Sequence, residues 1–349
     1  MRTTRVLTQA DVARIVADLG LDAAMDEMIA RLATTFAAHD PELVHTMVRD
    51  GFRYTKPDLG LIEWMPTHVA GSSVSIKVVG YHPTNPIERR SPSVLSTTSL
   101  YDTTDGRMTA LCDSSLLTAI RTGAASAVMT DVLAVPDARV LGMVGSGAQA
   151  VTQIHAISRV RQIEQVYAYD AIPGVAESLE PRLRSAGLDL VVEVVDDADL
   201  AVARADVLCT ATSVDPDGGP VVGARDHRPW VHVNAVGADL PGKYELPLDL
   251  LRRSLVVPDV HDQCVLEGEC QRLTPDEIGP AMPDVVRDRE RHEAQRDRPT
   301  VFDSTGWALE DLIAAELALD HAERLGLGVT VELQPDPVDP FDPYELVRS

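Results

Sequence analysis

One short segment restricts the possible folds more than any other. Leu141-Gly142-Met143-Val144 runs into Gly145-Ser146-Gly147-Ala148-Gln149-Ala150, and a helical pattern follows over 151–157. A glycine-x-glycine-x-x-alanine string between an apolar run and a helix makes a tight turn at the first glycine. At the second it lets the backbone approach a ligand, and the helix then opens with unpaired N–H groups. Further apolar runs at 166–169, 190–194, 207–210, 231–236 and 255–257 alternate with helical segments. Continuous apolar strands alternating with helices predict a parallel sheet covered on both faces.

The chain before this point has a different rhythm. Thr8 with Asp11 marks a helix start, a shorter-acid form of the capping box. Leu21, Met25, Met28, Leu32 and Phe36 recur at helical steps. Strand-like runs follow at 61–65, 74–81, 94–101 and 107–111, with Asp105-Gly106 as a hairpin signal between the last two. This predicts an antiparallel sheet. A helix over 116–133 joins the two patterns, and 307–325 is a last long helix. The tail 335–343 is rich in Asp and Pro and is expected to lie extended. The expectation is therefore an α/β chain: a Rossmann-type parallel-sheet domain over 121–307, and an α+β domain from 1–120 with 308–349.

Composition narrows the partners. In 349 residues, 31 Lys+Arg stand against 54 Asp+Glu, a formal charge of −23. That balance argues against nucleic acid and anionic membranes, which need clustered cations. No uninterrupted apolar run approaches the ~18 residues of a membrane span. The opening Met-Arg-Thr-Thr-Arg-Val-Leu soon meets Asp11, Arg14 and Asp18, which fits no secretory signal core. Cys112, Cys209, Cys264 and Cys270 are scattered, the usage of a reduced, cytoplasmic protein.

The second strand after the glycine loop ends in Asp170, 23 residues beyond Gly147. An acid there can accept bonds from an adenosine ribose and repels a 2′-phosphate, so NAD is expected rather than NADP. A doubly wound fold without a dinucleotide is the plainer alternative.

Other polar groups stand out singly. Lysine is scarce: Lys56, Lys77 and Lys243 are the only three, against 28 arginines. Alternation in Ser73-Val74-Ser75-Ile76-Lys77-Val78-Val79 puts Val74, Ile76 and Val78 on one face and Lys77 on the other, where a strand lysine ordinarily meets solvent. Glu63, among Leu61, Ile62, Trp64 and Met65, is either exposed or paired with a cation. Arg49 precedes a loop-like Asp50-Gly51-Phe52 and by itself reads as a surface residue. Asp239, between Gly237 and Pro241-Gly242-Lys243, follows a strand and faces a ligand or caps a turn. Ser304 or Thr305 can cap the last helix. His261, Cys264, Glu267 and Cys270 match no common zinc spacing, so no metal is expected.

Taken together, Arg121-Thr122-Gly123-Ala124-Ala125, the 145–150 loop, 234–239 with Pro241-Gly242-Lys243, and 302–306 resemble the ornithine cyclodeaminase/μ-crystallin family over nearly the whole chain. Within it, Glu63-Trp64-Met65-Pro66, Lys77-Val78-Val79-Gly80-Tyr81, Glu267-Gly268-Glu269-Cys270-Gln271 and Asp303-Ser304-Thr305-Gly306 look most like the bacterial lysine cyclodeaminases. The resemblance implies a homodimer acting on a small L-diamino acid with recycled NAD. It implies Asp239, Glu63 and Lys77 as the catalytic set, with Arg49, Lys77 and Arg121 on the substrate carboxylate. Glu63 would face the terminal amine, and Thr305 would also touch substrate. The cofactor would lie on Ser93, Arg121, Thr122, Gly145, Gly147, Ala148, Gln149, Asp170, Thr212, Val236, Lys243 and Ser304. Ser93 departs from the family's threonine but keeps the hydroxyl. The alternatives are an ornithine enzyme, an amino-acid dehydrogenase or cyclic-imine reductase, and a non-catalytic binding protein.

Overall fold

The computed structural model describes residues 3–223 and 226–348. Met1 and Arg2, which open the segment read for a signal core, lie outside the described residues. The fold is mixed α/β in two compact units. Unit 1 is Met1–Leu19, Asp40–Thr118 and Asp311–Ser349, and unit 2 is Gly20–His39 and Ala119–Glu310.

Unit 1 is a sheet carrying helix α1 (Gln9–Leu19). Thr8 and Asp11 start that helix as expected: the Thr8 N–H and hydroxyl both donate to Asp11 Oδ2, at 2.9 and 2.7 Å, and Asp11 N–H donates back to Thr8 Oγ1. The strands are β1 (Thr4–Leu7), β2 (Val44–Thr46), β3 (Asp50–Tyr54), β4 (Gly60–Val69), β5 (Ser73–Tyr81), β6 (Val94–Asp102) and β7 (Met108–Asp113). β4 to β7 form an antiparallel meander, and β1 lies parallel to β7. The stretch after Arg49 is strand β3, paired with β4, not the loop its Asp-Gly suggests. Local turn chemistry yields there to the antiparallel ladder with the next strand.

The faces of this sheet are assigned against the hydrophobic pattern. Ser75, Lys77 and Val79 of β5, with Ser96, Thr98 and Leu100 of β6, are buried. The opposite face exposes Ile62, Val78 and Leu95.

Unit 2 begins with α2 (Leu21–Ala37) and continues from within α3 (Ser115–Leu133). By length and composition α3 could cross a membrane, but 83% of its apolar window is buried in the protein. The parallel sheet follows: β8 (Val140–Val144), then α4 (Ala148–Val160), β9 (Gln165–Tyr169), β10 (Val191–Val194), β11 (Val207–Thr210), β12 (His232–Ala235), β13 (Leu255–Pro258), α5 (Met282–Arg287) and β14 (Thr300–Asp303). Its order is β10-β9-β8-β11-β12-β14-β13, parallel throughout. One apolar cluster joins Leu141, Met143, Val166 and Val207 to Ala150, Ile154 and Ile157 of α4; a second joins Val144, Leu208, Val233 and Val301 to Val202 and Leu251. Both faces are therefore covered, which is why its strands carry continuous apolar runs.

Residues 20–39, expected with the first domain, belong to unit 2. α2 buries Met25, Met28, Leu32 and Phe36 and packs against α4 and α5; Leu21, at its start, is 43% exposed. Asp22 and Asp26 of α2 also pair with Arg159 of α4. Finally α6 (Ala308–Leu325) leads to β15 (Val329–Val331), which joins the first sheet antiparallel to β1. The tail after it has no regular structure over 335–343 and is tied to Arg107 through Pro335 O and Asp336.

Candidate functional site

In unit 2 the residues expected to hold a ligand, apart from Arg121 and Thr122 on α3, lie after the carboxyl ends of adjacent parallel strands, where open α/β sheets bind ligands. After β8, Gly145 takes φ +90°, a conformation that favours glycine, and a Cβ there would stand 2.6 Å from Ala211 O. Gly147 then N-caps α4 without a side-chain cap, so the first N–H groups of the helix keep their polarity for a ligand. A Cβ at Gly147 would meet nothing within 4 Å, and Gly147 and Ala148 are exposed.

Two side chains brace this loop. Asp170, just past β9, accepts the Ser146 N–H at 2.7 Å and the Ile172 N–H at 2.9 Å. Arg182 donates to the carbonyl oxygens of Ser146 and Gly147 at 2.5 and 2.9 Å. Arg182 carried no sequence signal, since the loop atoms it braces are backbone oxygens 35 residues or more away. Gln149 sits in the first turn of α4 and takes a bond from Thr152.

After β11 and β12 come Thr212 and Val236, and then Asp239, whose carboxylate accepts from Lys243 Nζ at 2.8 Å. Lys243 is buried, while the Asp239 side chain is 35% exposed. The loops bearing them hang on three buried carboxylates: Glu269 and Asp303 lie in segments that carry the resemblance, and Glu245 lies in none of them. Glu245 accepts from Thr210 Oγ1, Thr212 N–H and Gly237 N–H at 2.7 to 2.8 Å. Glu269 accepts the Glu245 N–H, and Asp303 accepts those of Glu269 and Cys270. Burial holds all three above the ordinary carboxylate range, Asp303 at about 7. Packed together, they anchor the ends of β11, β12 and β14 to one another. Ser304, after β14, has its hydroxyl buried without a hydrogen-bond partner among the described residues.

The Thr305 hydroxyl turns inward. It donates to Asp259 Oδ1 at 2.9 Å and accepts from Gln263 Nε2 at 2.8 Å, and the Gly306 N–H donates to Asp259 Oδ2. Gly306 lies against Arg121: a Cβ on it would stand 3.0 Å from Nη1. Arg121 is buried in α3 and pairs with Glu310 Oε2 at 2.7 Å. The carbonyl of Thr122, beside it, accepts from Gln153.

Unit 1 holds two ion pairs among the expected residues. Lys77 is 1% exposed, and its ammonium lies 2.8 Å from Asp311 Oδ1. The solvent-facing reading of this strand lysine is thus overturned: the sheet buries the face that carries it, and a carboxylate from α6 compensates the charge. The Arg49 side chain is only 8% exposed, with Nη1 3.7 Å from Glu63 Oε2. Of the two readings of Glu63, the structure takes the cation-paired one. Ser93 precedes β6, where its carbonyl accepts the His82 N–H.

His261, Cys264, Glu267 and Cys270 form no metal-holding cluster among the described residues. His261 is exposed, and the Cys264 thiol turns to Asp259. The four cysteines are free and buried.

Comparison with known proteins agrees with this architecture. The model of the ornithine cyclodeaminase/mu-crystallin family matches residues 9–325. An L-lysine cyclodeaminase of Streptomyces rapamycinicus is 42% identical over 98% of this chain and 99% of its own length. A solved lysine cyclodeaminase, described for its recognition of L-lysine, L-ornithine and L-2,4-diaminobutyric acid, superposes with a TM-score of 0.94. It is 42% identical and covers 99% of each chain. A solved archaeal alanine dehydrogenase dimer with bound NAD gives a TM-score of 0.83 at 28% identity, over 95% of this chain and 100% of that one. With the glycine loop, the 234–243 segment and the fold all in agreement, the chain belongs to the ornithine cyclodeaminase/mu-crystallin family.

Proposed function

We propose that this chain is an NAD-dependent L-lysine cyclodeaminase, which converts L-lysine to L-pipecolate and ammonia. The observation that carries the reading is the Asp239–Lys243 pair after β12, on the same sheet edge as the glycine loop. The likeness over 98% of the chain to an L-lysine cyclodeaminase supports the substrate, and the NAD bound by the alanine dehydrogenase supports the cofactor.

The residues of unit 2 fit a dinucleotide. Room beside Gly147, the uncapped start of α4 and the Ser304 hydroxyl suit a pyrophosphate and its ribose. Gly145, Gly147, Ala148, Gln149, Asp170, Thr212, Val236, Lys243 and Ser304 form this set, with Ser93, Arg121 and Thr122 completing it. When bound, NAD supplies the oxidation at the substrate α-carbon and the later return of the same hydride.

The protein's own groups do the rest. Arg49, Lys77 and Arg121 hold the substrate carboxylate and so fix the α-carbon. Asp239, partly open to solvent, takes the proton from the reacting amine, and Lys243 holds its carboxylate in place. Glu63 faces the terminal amine, and Thr305 belongs to the substrate set by the resemblance. Ring closure by that amine is intramolecular, and its high effective molarity favours it over release of an open-chain product. One methylene in such a pocket is worth only ~1–3 kcal/mol, so L-ornithine is the competing substrate.

The open face of the unit 1 sheet, with Ile62, Val78 and Leu95 exposed, supports a homodimer through that face. A monomer by sedimentation at micromolar concentration would exclude it. The four free, buried cysteines accord with a cytoplasmic location.

The test supplies purified protein with catalytic NAD and L-lysine or L-ornithine, following ammonia, cyclic product by mass and NADH absorbance. Pipecolate and ammonia without NADH accumulation is the expected result. NADH rising in step with product would instead mean a dehydrogenase, the reading to which the alanine dehydrogenase likeness points. Asp239→Asn is expected to keep NAD binding and lose turnover; near-normal activity would remove Asp239 as the base.

A further inference from the structure

Two of the cations read as holding the substrate carboxylate are themselves held by consecutive acids. Lys77 Nζ donates to Asp311 Oδ1 at 2.8 Å, and Arg121 Nη1 to Glu310 Oε2 at 2.7 Å. All four side chains are at least nine-tenths buried. Consecutive residues on an α-helix point about 100° apart, so neighbouring acids on α6 can each serve a different cation. Gly306 adds to the fit, because any side chain there would press on the Arg121 guanidinium.

We propose that Glu310 and Asp311 are positioning residues: Glu310 orients Arg121, and Asp311 orients Lys77 and keeps it charged, for the substrate carboxylate. The inference rests on the reading of Lys77 and Arg121 given under Proposed function. A plainer role exists for acids in the first turn of a helix: they complement its dipole and stabilise it. That role alone would lower stability and leave substrate kinetics untouched, so the two accounts separate in a kinetic measurement.

The surroundings of Lys77 make the pH dependence informative. Met65 of β4 and Thr98 of β6 stand opposite it in register. By register the same face also carries Glu63 two residues along β4 and Cys112 on β7, with Tyr81, Asp102, Arg53 and Arg5 farther out, while Asp311 reaches Lys77 from α6. Burial pushes the Cys112 thiol up to about 12, so it stays neutral. Without the Asp311 charge, a buried ammonium gives up its proton more easily, whereas a guanidinium does not.

The experiment compares Asp311→Asn and Glu310→Gln with the wild type, each loaded with NAD. Each variant should raise KM for L-lysine about ten- to hundredfold, the range set by losing a hydrogen bond to a charged group. In Asp311→Asn, whose partner Lys77 is outside the cofactor set, NADH affinity read by fluorescence should stay within about twofold. In Asp311→Asn the KM should climb further from pH 7 to 9, while in Glu310→Gln the increase should be the same across that range. An unchanged or lower KM in the folded variants overturns the proposal, as does, in Asp311→Asn, a KM rise matched by lost NADH affinity. A wild type that turns over no diamino acid fails the functional reading itself, and the inference falls with it. An active wild type with unaffected variants fails the inference alone.

Discussion

A Cβ placed on Gly123 would stand 2.5 Å from the carbonyl oxygen of Thr152. The backbones of α3 and α4 touch there. The glycine of Arg121-Thr122-Gly123 is thus a packing requirement, which brings the helix of Arg121 against the one that opens at the glycine loop. Gly123→Ala should therefore destabilise the protein by about 1–3 kcal/mol through overpacking of backbone that cannot yield. Equilibrium urea denaturation measures this, and an unchanged midpoint would show that the helices separate easily.

Gly147 makes the opposite prediction. Its φ of −70° suits any residue, and an added Cβ meets nothing within 4 Å. Gly147→Ala should leave stability unchanged within about 0.5 kcal/mol, as substitutions without steric or polar consequence do. NADH binding should weaken at least about tenfold, because the methyl occupies the approach of the pyrophosphate. Titration of NADH fluorescence checks it; full affinity would place the dinucleotide elsewhere.

His232 is wholly buried between β11 and β14 in the sheet, its Nδ1 2.8 Å from Thr300 Oγ1. Burial pushes its imidazole down to about 3, from 6.5. In that window the unfolded chain binds a proton that the folded chain refuses. The stabilisation is complete above about 6.5 and is lost as pH falls toward 3, by an amount on the order of a few kcal/mol. Asp303, raised from 3.8 to about 7, works with the opposite sign and lowers stability as pH rises across its own window. The clean observable is therefore the difference between wild type and His232→Gln. That difference should shrink as pH is lowered from 7 to 4 in denaturation curves, and a constant gap would contradict it.

Thr305→Val removes a hydroxyl that serves Asp259 and Gln263 at once. Leaving those buried groups short of a partner should cost about 1–3 kcal/mol of stability. Because Gly306 is tied to the same Asp259 and lies against Arg121, KM for the diamino acid should rise as well. Steady-state kinetics beside thermal melts would show both; a change in KM with no loss of stability would assign Thr305 to the substrate instead.

Much of the fold is legible in local pattern. The hairpin at Asp105-Gly106, the capped start of α1 and the glycine turn after β8 rest on turn chemistry within a few residues. The parallel sheet shows as apolar runs because both its faces are covered. Short strands such as β1, β3, β14 and β15 escape notice, since three to five residues carry little periodicity, and β1, β14 and β15 also pair with distant chain. Arg182, Glu245 and Asp259 escape for a related reason: each braces loops far from it in sequence, mostly through backbone atoms that any residue provides.

Sequence alone determined the strand–glycine–helix turn, the acid at Asp170 and the clustering of polar residues after strand ends, because each depends on neighbours in the chain. Tertiary structure decided which face of β5 is buried. By alternation the apolar side of Val74, Ile76 and Val78 should lie inward, yet it is Ser75, Lys77 and Val79 that are buried. The reason is a carboxylate 234 residues away: Asp311 compensates the charge that would otherwise keep Lys77 in water.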